Sequence, residues 1–274
     1  MLFRQAAEVF KREENQLRIR ACIYHKFLEI HDLNNGFFGR RLGDFYSPTC
    51  AYGPSRSDSG KLQRLTRSMR NTSDYADVLK WFRKCRLEHT ESCGRAVGNE
   101  FPLRVIDCST RRLCIISPKS HYIALSYVWG SSTSHSQLPG GGLPEQLPRR
   151  VADAMKVALI FDIPYLWVDR YCIDQHNAEE KHNLIRNMDK IYRNADLTIM
   201  AIAGKDSDHG LPGVGNTPRK AAAISTESLS FVNSVNPAEE IRDSTWIRRG
   251  WTFQELLLSS RRLFFTDSQM LGYC

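Results

Sequence analysis

Three short segments of the sequence combine carboxylates, aromatic rings and an arginine at the ends of apolar runs. They contain Ser126, Tyr127, Trp129 and Gly130, then Asp169, Cys172, Asp174 and Gln175, then Arg249, Trp251 and Glu255. Carboxylates beside flat aromatic faces suit a polar ligand with planar rings, such as a nucleotide. The pattern therefore predicts a binding site for a ligand of this kind.

Glu255 fits two different patterns. Thr252 and Glu255 have the spacing of a capping box, in which the threonine caps a helix and the glutamate bonds back to its N–H. Trp251 and Glu255 stand four residues apart, so on a helix they share a face and bring a carboxylate beside an aromatic plane. The first pattern needs no function and the second suits catalysis. The residues alone leave both interpretations open.

The other candidates also have structural interpretations. Asp169 and Asp174 flank a tight loop, where carboxylates commonly accept local backbone N–H bonds. Trp129 and Trp251 suit an apolar core as well as a ligand face. For Cys172 a small buried side chain is favoured over a nucleophile. Loop shaping and core packing are therefore alternatives to ligand binding at these positions.

One cysteine and histidine spacing is typical of a metal site. Cys85, His89 and Cys93 follow one another at intervals of four, which places them near one face of a helix. Zinc needs a fourth ligand, and no CxxC or HxxxH pair is present to supply it, so we predict no metal site. The run from Gly140 to Gly142 lacks the GK[ST] of a phosphate loop, and GxSxG and HExxH are absent. Hydrolases of those types are disfavoured.

The elements that position these residues alternate between strand and helix from residue 121 onward. Apolar runs beginning at Ile123, Tyr165 and Leu197 predict buried strands, and RRLFFT predicts a last one after the helix WTFQELLL. Pro148 and Asn177 precede amphipathic runs and mark helix starts. This order predicts an α/β fold with a mostly parallel sheet, helices on both faces, and a ligand site at the carboxyl ends of the strands.

The residues before 121 are organised differently. Apolar positions at mixed helical spacing predict one or two helices in residues 1–33, namely at Ala7, Phe10, Leu17, Ala21, Tyr24 and Leu28. A helix over residues 74–93 and a β-hairpin from LRVIDCS and RLCIIS come later. We predict three parts: a basic, partly helical and partly flexible extension (1–73), a helix and hairpin that pack on the core (74–120), and the α/β domain (121–274). Within the last, a strand is expected at 221–232.

Composition limits the classes of protein that fit. The chain has 274 residues and a net charge of +8, but residues 1–72 hold 13 Lys and Arg against 7 Asp and Glu. Without aromatic interleaving or a nucleic-acid motif, this charge is typical of a solvated surface, and nucleic acid is a weak alternative partner. No apolar run reaches the ~18 residues of a membrane helix. The start mixes acids and bases, unlike a signal peptide, and the eight cysteines suit reduced thiols. These features predict a cytoplasmic protein without membrane contact.

The three segments also resemble a known family. Tyr122-Ile-Ala-Leu-Ser-Tyr-Val-Trp-Gly130, Leu166-Trp-Val-Asp-Arg-Tyr-Cys-Ile-Asp-Gln175 and Arg249-Gly-Trp-Thr-Phe-Gln-Glu-Leu256 resemble the successive blocks of fungal heterokaryon-incompatibility (HET) domains. Ile191-Tyr-Arg-Asn-Ala195 and Gly210-Leu211 also fall where that family places them. The resemblance covers residues 121–274 and leaves out residues 1–73. Departures are a short loop after Trp129, Asp162 where a glycine is usual, and Arg170-Tyr171 in the second block.

The resemblance implies a fold and a role. HET domains act in fungal non-self recognition, in which activation leads to growth arrest or cell death. They are thought to be distant relatives of Toll/interleukin receptor (TIR) domains, which implies a flavodoxin-like or TIR-like fold. In TIR enzymes a glutamate four residues beyond a tryptophan cleaves the nicotinamide–ribose bond of NAD, and Trp251 and Glu255 match that pattern. The resemblance thus implies Glu255 as the catalytic carboxylate, with NAD as substrate and no other cofactor.

The residues at the strand ends are expected to bind the substrate around that glutamate. The substrate-binding set is Ser126, Tyr127, Trp129, Gly130, Asp169, Asp174, Arg249 and Trp251. Self-association on activation and an upstream recognition protein are the implied partners. The alternative is a self-associating signalling module without enzymatic activity, as in many TIR adaptors.

Overall fold

The structure is a computed structural model that describes residues 75–94, 101–130, 143–220 and 237–274 in full. Four further strands are described by their backbone, at Ile19–Ile23, Lys26–Ile30, Ala223–Ser225 and Ser230–Ser234. Strands are numbered here in chain order, so these four are β1, β2, β8 and β9. Every statement below concerns this part of the chain.

A seven-stranded sheet forms the centre of the described fold. Its strands are β3 (Leu103–Asp107), β4 (Arg112–Ile116), β5 (Ile123–Ser126), β6 (Tyr165–Trp167), β7 (Leu197–Ala201), β10 (Arg262–Phe265) and β11 (Met270–Tyr273), in the spatial order β11-β10-β7-β5-β6-β3-β4. The four central strands β6, β5, β7 and β10 are parallel. The outer strands β3, β4 and β11 pair antiparallel. The α/β prediction is confirmed, and the sheet is mixed rather than mostly parallel because both edges are closed by antiparallel strands.

The path of the chain through the parallel strands determines where a ligand can bind. β5 and β7 are buried along their whole length, as expected of strands covered on both faces. From β5 the chain moves to β6 on one side, and then returns to β7 on the other. At such a reversal the connections leave in opposite directions and open a crevice at the carboxyl ends of the strands. The reversal here lies beyond Ser126, the last residue of β5.

Eight helices belong to the described residues. They are α1 (Ala76–Glu88), α2 (Thr90–Cys93), α3 (Arg149–Ile160), α4 (Asp169–Cys172), α5 (Ala178–Arg186), α6 (Met188–Asn194), α7 (Pro237–Asp243) and α8 (Thr252–Leu258). Pro148 immediately precedes α3, and the side chain of Asn177 accepts the N–H of Glu180 at 3.0 Å, so both predicted helix starts are confirmed. Asp162, after α3, has a φ of 58°, the left-handed conformation that favours glycine. This explains why a glycine is usual there.

The helix and hairpin before residue 121 share the core of the α/β domain. Val78 and Phe82 of α1 lie in the same buried cluster as Val105 of β3 and Ile123 of β5. Edge-to-face packing of Phe82 on Phe161, with ring centroids 5.1 Å apart, joins α1 to the end of α3. The predicted helix and hairpin are therefore confirmed as elements, and both contribute to one core. The domain boundaries themselves stay predictions.

The N-terminal prediction is wrong where the structure describes that region. β1 and β2 form an antiparallel pair where we predicted helix, and they join β9 and β8 in a second sheet of order β1-β2-β9-β8. Ile19, Ala21 and Ile23 alternate with other residues at a period of two, which is the strand period and outweighs the weaker helical spacing. The remaining predictions for residues 1–73 lie outside the described residues. The strand expected at 221–232 is confirmed as the β8–β9 hairpin.

No helix among the described residues combines the length and apolar character needed to cross a bilayer.

Candidate functional site

Glu255 lies inside the protein at the carboxyl end of β5. Its side chain is 1% exposed, and its Oε2 accepts a hydrogen bond from the hydroxyl of Ser126. The Ser126 Oγ in turn accepts the indole N–H of Trp246 at 2.8 Å. All three residues are buried, so a relay of two hydrogen bonds fixes the carboxylate of α8 against the last residue of the central strand. Glu255 therefore lies at the point where the strand order reverses.

The capping-box interpretation of Glu255 is wrong. Helix α8 begins after Trp251, and no side chain caps it. The hydroxyl of Thr252 instead donates to the carbonyl of Arg249 at 2.5 Å, and the Glu255 carboxylate bonds to Ser126 rather than back to the helix start. Trp251 is 47% exposed, so its indole lies at the surface while the carboxylate four residues later is inside.

A second buried carboxylate belongs to Asp169, the first residue of α4. Both of its oxygens accept the indole N–H of Trp129, at 2.9 and 3.0 Å. The Oδ1 also accepts the backbone N–H of Arg170 at 2.7 Å. Asp169 is 8% exposed and Trp129 is half-buried. The carboxylate therefore sets the orientation of the Trp129 ring, and its bond to the Arg170 N–H is the local bond of the loop-shaping interpretation.

The two carboxylates share an electrostatic environment. Burial raises the pKa of Glu255 to about 7, against the opposing effects of the Ser126 hydrogen bond and the Arg249 charge. Burial likewise raises the pKa of Asp169 to about 6, opposed first by Arg249. The guanidinium of Arg249 also donates to the backbone carbonyl of Tyr127. Buried carboxyl groups with raised pKa values at the carboxyl ends of parallel strands are typical of functional sites.

Two further residues of this region were missed from the sequence. Trp246 donates a hydrogen bond to Ser126 and is fully buried. In the sequence it directly follows the polar segment that ends at residue 245. Arg150 is also fully buried, and donates through one nitrogen to the carbonyl of Ala203. Its Nε and second terminal nitrogen, and the hydroxyl of Tyr127, have no hydrogen-bond partner within the described structure.

Arg150 had a sequence signal that could have identified it. Arg149 and Arg150 occupy the first turn of α3, where the helix dipole favours acidic residues instead. Burial lowers the pKa of Arg150 to about 10, while Asp206 is the first of the charges that oppose this effect. A buried guanidinium with unsatisfied N–H donors can donate hydrogen bonds to an anionic group.

The remaining predicted residues lie at the margin of this region. Asp174 is half-buried and accepts the N–H of His176 at 2.9 Å, which shapes its own loop. Gly130 has a φ of 76°, and a Cβ there would come within 2.9 Å of the Asp206 side chain. Cys172 is 1% exposed, and burial raises its pKa to about 12, which favours a buried small side chain over a nucleophile.

A surface groove lies away from these carboxylates. It has a volume of about 400 Å³ and is bounded by the hairpin strands and the first turn of α5. Its lining includes Pro102, Arg104, Ile115, Asn177, Glu180 and Leu184. Neither Glu255 nor Asp169 contributes to it. Because Glu255 is 1% and Asp169 8% exposed and both accept side-chain hydrogen bonds, the carboxylate region is a closed network.

Fold and site together define an α/β domain with a mixed sheet and a buried carboxylate network at the carboxyl ends of its parallel strands. Residues 122–255 match the family described as Heterokaryon incompatibility protein (HET). Over 139 residues the chain is 27% identical to "Heterokaryon incompatibility protein 6, OR allele" of Neurospora crassa, covering 46% of this chain and 19% of that protein. The family match and this relative together support a HET domain in residues 122–255, which make up just under half of the chain. The chain spans about a fifth of the length of that curated relative, and no solved structure matches it.

The matched region contains several of the buried contacts described above. It ends at Glu255 and includes Ser126, the two partners of the buried hydrogen bond. It also includes Gly210, whose φ is 80° and where a Cβ would lie 2.2 Å from the Thr217 hydroxyl. The next residue, Leu211, donates its N–H to the buried carboxylate of Asp153 at 3.1 Å.

Proposed function

We propose that this chain is an effector domain of fungal non-self recognition and cell death, and that it hydrolyses NAD with Glu255 as the catalytic carboxylate. The buried Glu255 carboxylate, held by Ser126 at the carboxyl end of β5, is the observation that carries the enzymatic part. The Neurospora relative is named as a heterokaryon incompatibility protein, which supports the cellular role. The strand order β6-β5-β7-β10 supports a flavodoxin-like, TIR-like arrangement of the parallel strands.

The proposed reaction needs a carboxylate more than an acid. Water adds to the anomeric carbon of the nicotinamide-bearing ribose as the bond to nicotinamide breaks, which yields ADP-ribose, neutral nicotinamide and a proton. Because the leaving group is neutral, the barrier lies in an oxocarbenium-like ribosyl cation, as in glycoside hydrolysis. An ionised Glu255 stabilises that cation, and a low-dielectric surrounding strengthens the effect.

The surrounding residues supply complementary roles in this proposal. Trp129 is the ring available to stack on a base, because Asp169 fixes its orientation and Tyr127 is only 1% exposed. The unsatisfied donors of Arg150 suit the diphosphate of the dinucleotide. The charge of Arg249 favours the ionised form of Glu255, because it opposes the effect of burial on the pKa of Glu255.

A closed carboxylate must become accessible before any substrate can react. Helix α8 carries Glu255 inward and presents Phe253, 69% exposed, and Leu257, 65% exposed, to the outside. An exposed apolar face on the same short helix suits self-association that reshapes the site. This face also favours the second candidate function, a self-associating signalling module that does no chemistry.

NAD consumption by the purified chain tests the enzymatic proposal. The expected result is a turnover per chain that increases with protein concentration, because association opens the site. Glu255→Gln should lower it by about 100-fold or more, which is typical of losing the main electrostatic stabiliser. Glu179→Gln, an exposed glutamate on α5, is the matched control and should leave the rate unchanged.

Two results distinguish the candidates. A folded Glu255→Gln protein that consumes NAD at the unaltered rate would rule out Glu255 as the catalytic group. An assembled wild-type protein that consumes no NAD would rule out the enzymatic proposal and favour the signalling module. In either case Phe253→Asp should reduce assembly measured by light scattering, since it places a charge on the exposed face of α8.

A further inference from the structure

Four potential metal ligands meet at the edge of the described fold. The Sγ atoms of Cys85, Cys93 and Cys274 and one ring nitrogen of His89 all lie within 4.8 Å of one another. Cys85 is on α1, His89 joins α1 to α2, and Cys93 ends α2. Cys274 follows β11. Cys85, His89 and Cys93 have the spacing described in the sequence analysis. The prediction of no metal site rested on the lack of a fourth ligand, and this reason is wrong because Cys274 supplies one.

We propose that Cys85, His89, Cys93 and Cys274 bind a structural Zn²⁺ ion. A tetrahedral ion with sulfur at about 2.3 Å and nitrogen at about 2.0 Å separates its ligand atoms by roughly 3.3 to 3.8 Å. Cys274 Sγ and His89 Nδ1 are already 3.4 Å apart. The remaining separations, up to 4.8 Å, close by small side-chain rotations.

The ligand chemistry selects zinc. Three thiolates and an imidazole are soft and intermediate donors, which disfavours Mg²⁺ and Ca²⁺ because those ions take oxygen ligands. All four tetrahedral positions come from the protein, so no position remains for water or substrate, and the site is of the structural kind. Cys85 and Cys93 are buried, whereas His89 is exposed and Cys274 is half-buried, so the ion can enter from solvent.

The surrounding charges suit the occupied state. Zinc displaces the protons of three thiols, and the resulting complex of Zn²⁺, three thiolates and a neutral imidazole carries one net negative charge. The buried Arg261 donates its Nε–H to Cys85 Sγ at 3.1 Å. The guanidinium of Arg262 is close enough to Cys93 and Cys274 to interact with both charges. Two cations beside the cluster therefore balance the anionic complex.

The proposed ion would fasten two distant parts of the chain. β11 packs so closely on α1 that a Cβ at Gly272 would lie 2.5 Å from the Trp81 ring. β11 is also the edge strand of the sheet, paired on one side only by β10. A zinc ion joining Cys274 to α1 and α2 holds this edge in place, which protects it from fraying or pairing with another chain.

Zinc content of the chain purified without chelators tests the proposal. The reduced, zinc-loaded wild type should contain about one zinc ion per chain by mass spectrometry of the metals. Cys274→Ser and Cys93→Ser should each keep less than about a tenth of that. Cys114→Ser is the matched control, because this half-buried cysteine lies on β4 outside the cluster, and it should bind zinc like the wild type.

Cobalt substitution and a chelator give independent readings. Co²⁺ added to metal-free protein should produce thiolate charge-transfer and tetrahedral d–d bands in the wild type and Cys114→Ser, but not in Cys274→Ser. A zinc chelator should lower the Tm of the wild type and leave that of Cys274→Ser unchanged.

The proposal is overturned if folded, reduced, zinc-loaded wild type contains less than about a tenth of a zinc ion per chain. It is equally overturned if Cys274→Ser binds zinc as the wild type does. Should Cys93→Ser fail to fold by circular dichroism, the variant at half-buried Cys274 still decides. These outcomes are independent of Glu255 and of NAD.

Discussion

The two ends of the parallel strands have opposite electrostatic characters. At the carboxyl end, Glu255 and Asp169 are buried carboxyl groups whose pKa values burial has raised, and Arg150 keeps unsatisfied donors. At the amino end of β10, the cysteine and histidine cluster has a matching set of ligands and balancing cations. The buried carboxyl groups lower the stability of the fold, whereas the cysteine and histidine cluster can raise it by binding an ion. A protein retains buried, poorly satisfied groups mainly where function requires them.

The largest difference in stability should separate variants of two tryptophans, Trp246 and Trp251, which both precede helix α8. Trp246→Ala removes a fully buried indole and the donor to Ser126, and should lower the free energy of unfolding by about 3 to 5 kcal/mol. Trp251→Ala removes a ring that is 47% exposed and should cost about 1 kcal/mol or less. Urea unfolding at pH 7 measures both. Equal losses would show that the Trp246 relay is not part of the core.

The pH dependence of stability tests the cost of the buried Glu255 carboxyl group. Its folded pKa of about 7 lies above the ordinary 4.5, so its contribution to stability is present below pH 4.5 and is lost as pH rises through 7. Glu255→Gln lacks this loss. Relative to wild type, it should gain roughly 3 kcal/mol between pH 4.5 and pH 8.

Urea unfolding at those two pH values measures this change, and Glu179→Gln is again the control. A pH-independent difference between Glu255→Gln and wild type would mean that the carboxyl group is not perturbed by burial.

Close packing of β11 on α1, beside the cysteine and histidine cluster, can be tested through Gly272. A methyl group at this position would collide with the Trp81 ring and push β11 away from α1. Gly272→Ala should therefore cost about 1 to 3 kcal/mol in the free energy of unfolding. It should also weaken zinc retention, because Cys274 moves with the strand. Unaltered stability and zinc content would show that β11 does not depend on this contact.

The smallest effect is expected at Asp162, which lies between α3 and β6. Its φ of 58° is unfavourable for a residue with a Cβ. Asp162→Gly should raise the free energy of unfolding by about 0.5 to 1 kcal/mol, as relief of the left-handed conformation exceeds the entropy cost of glycine. Thermal unfolding can detect this gain. A loss of stability would mean that the Asp162 side chain contributes contacts that outweigh its strain.

Local sequence patterns predicted much of the fold but few of the long-range side-chain contacts. Pro148 and Asn177 act within one helical turn, so their helix starts could be predicted. The partners Ser126 and Glu255 are 129 residues apart, and His89 and Cys274 are 185 apart, distances over which no local pattern carries information. The capping box at Thr252 and Glu255 failed for the same reason, because a buried long-range hydrogen bond outweighed a local one. In β1 and β2, two periodicities overlapped and the strand period prevailed.

The pH profile of NAD cleavage by the assembled protein tests the central claim most directly. If Glu255 must be ionised to stabilise the ribosyl cation, the rate should rise with pH and level off above a midpoint near 7, the pKa to which burial raises Glu255. Glu255→Gln should show no such rise. A wild-type rate that is zero at every pH, or a rise that persists unchanged in Glu255→Gln, would contradict the role of this carboxylate.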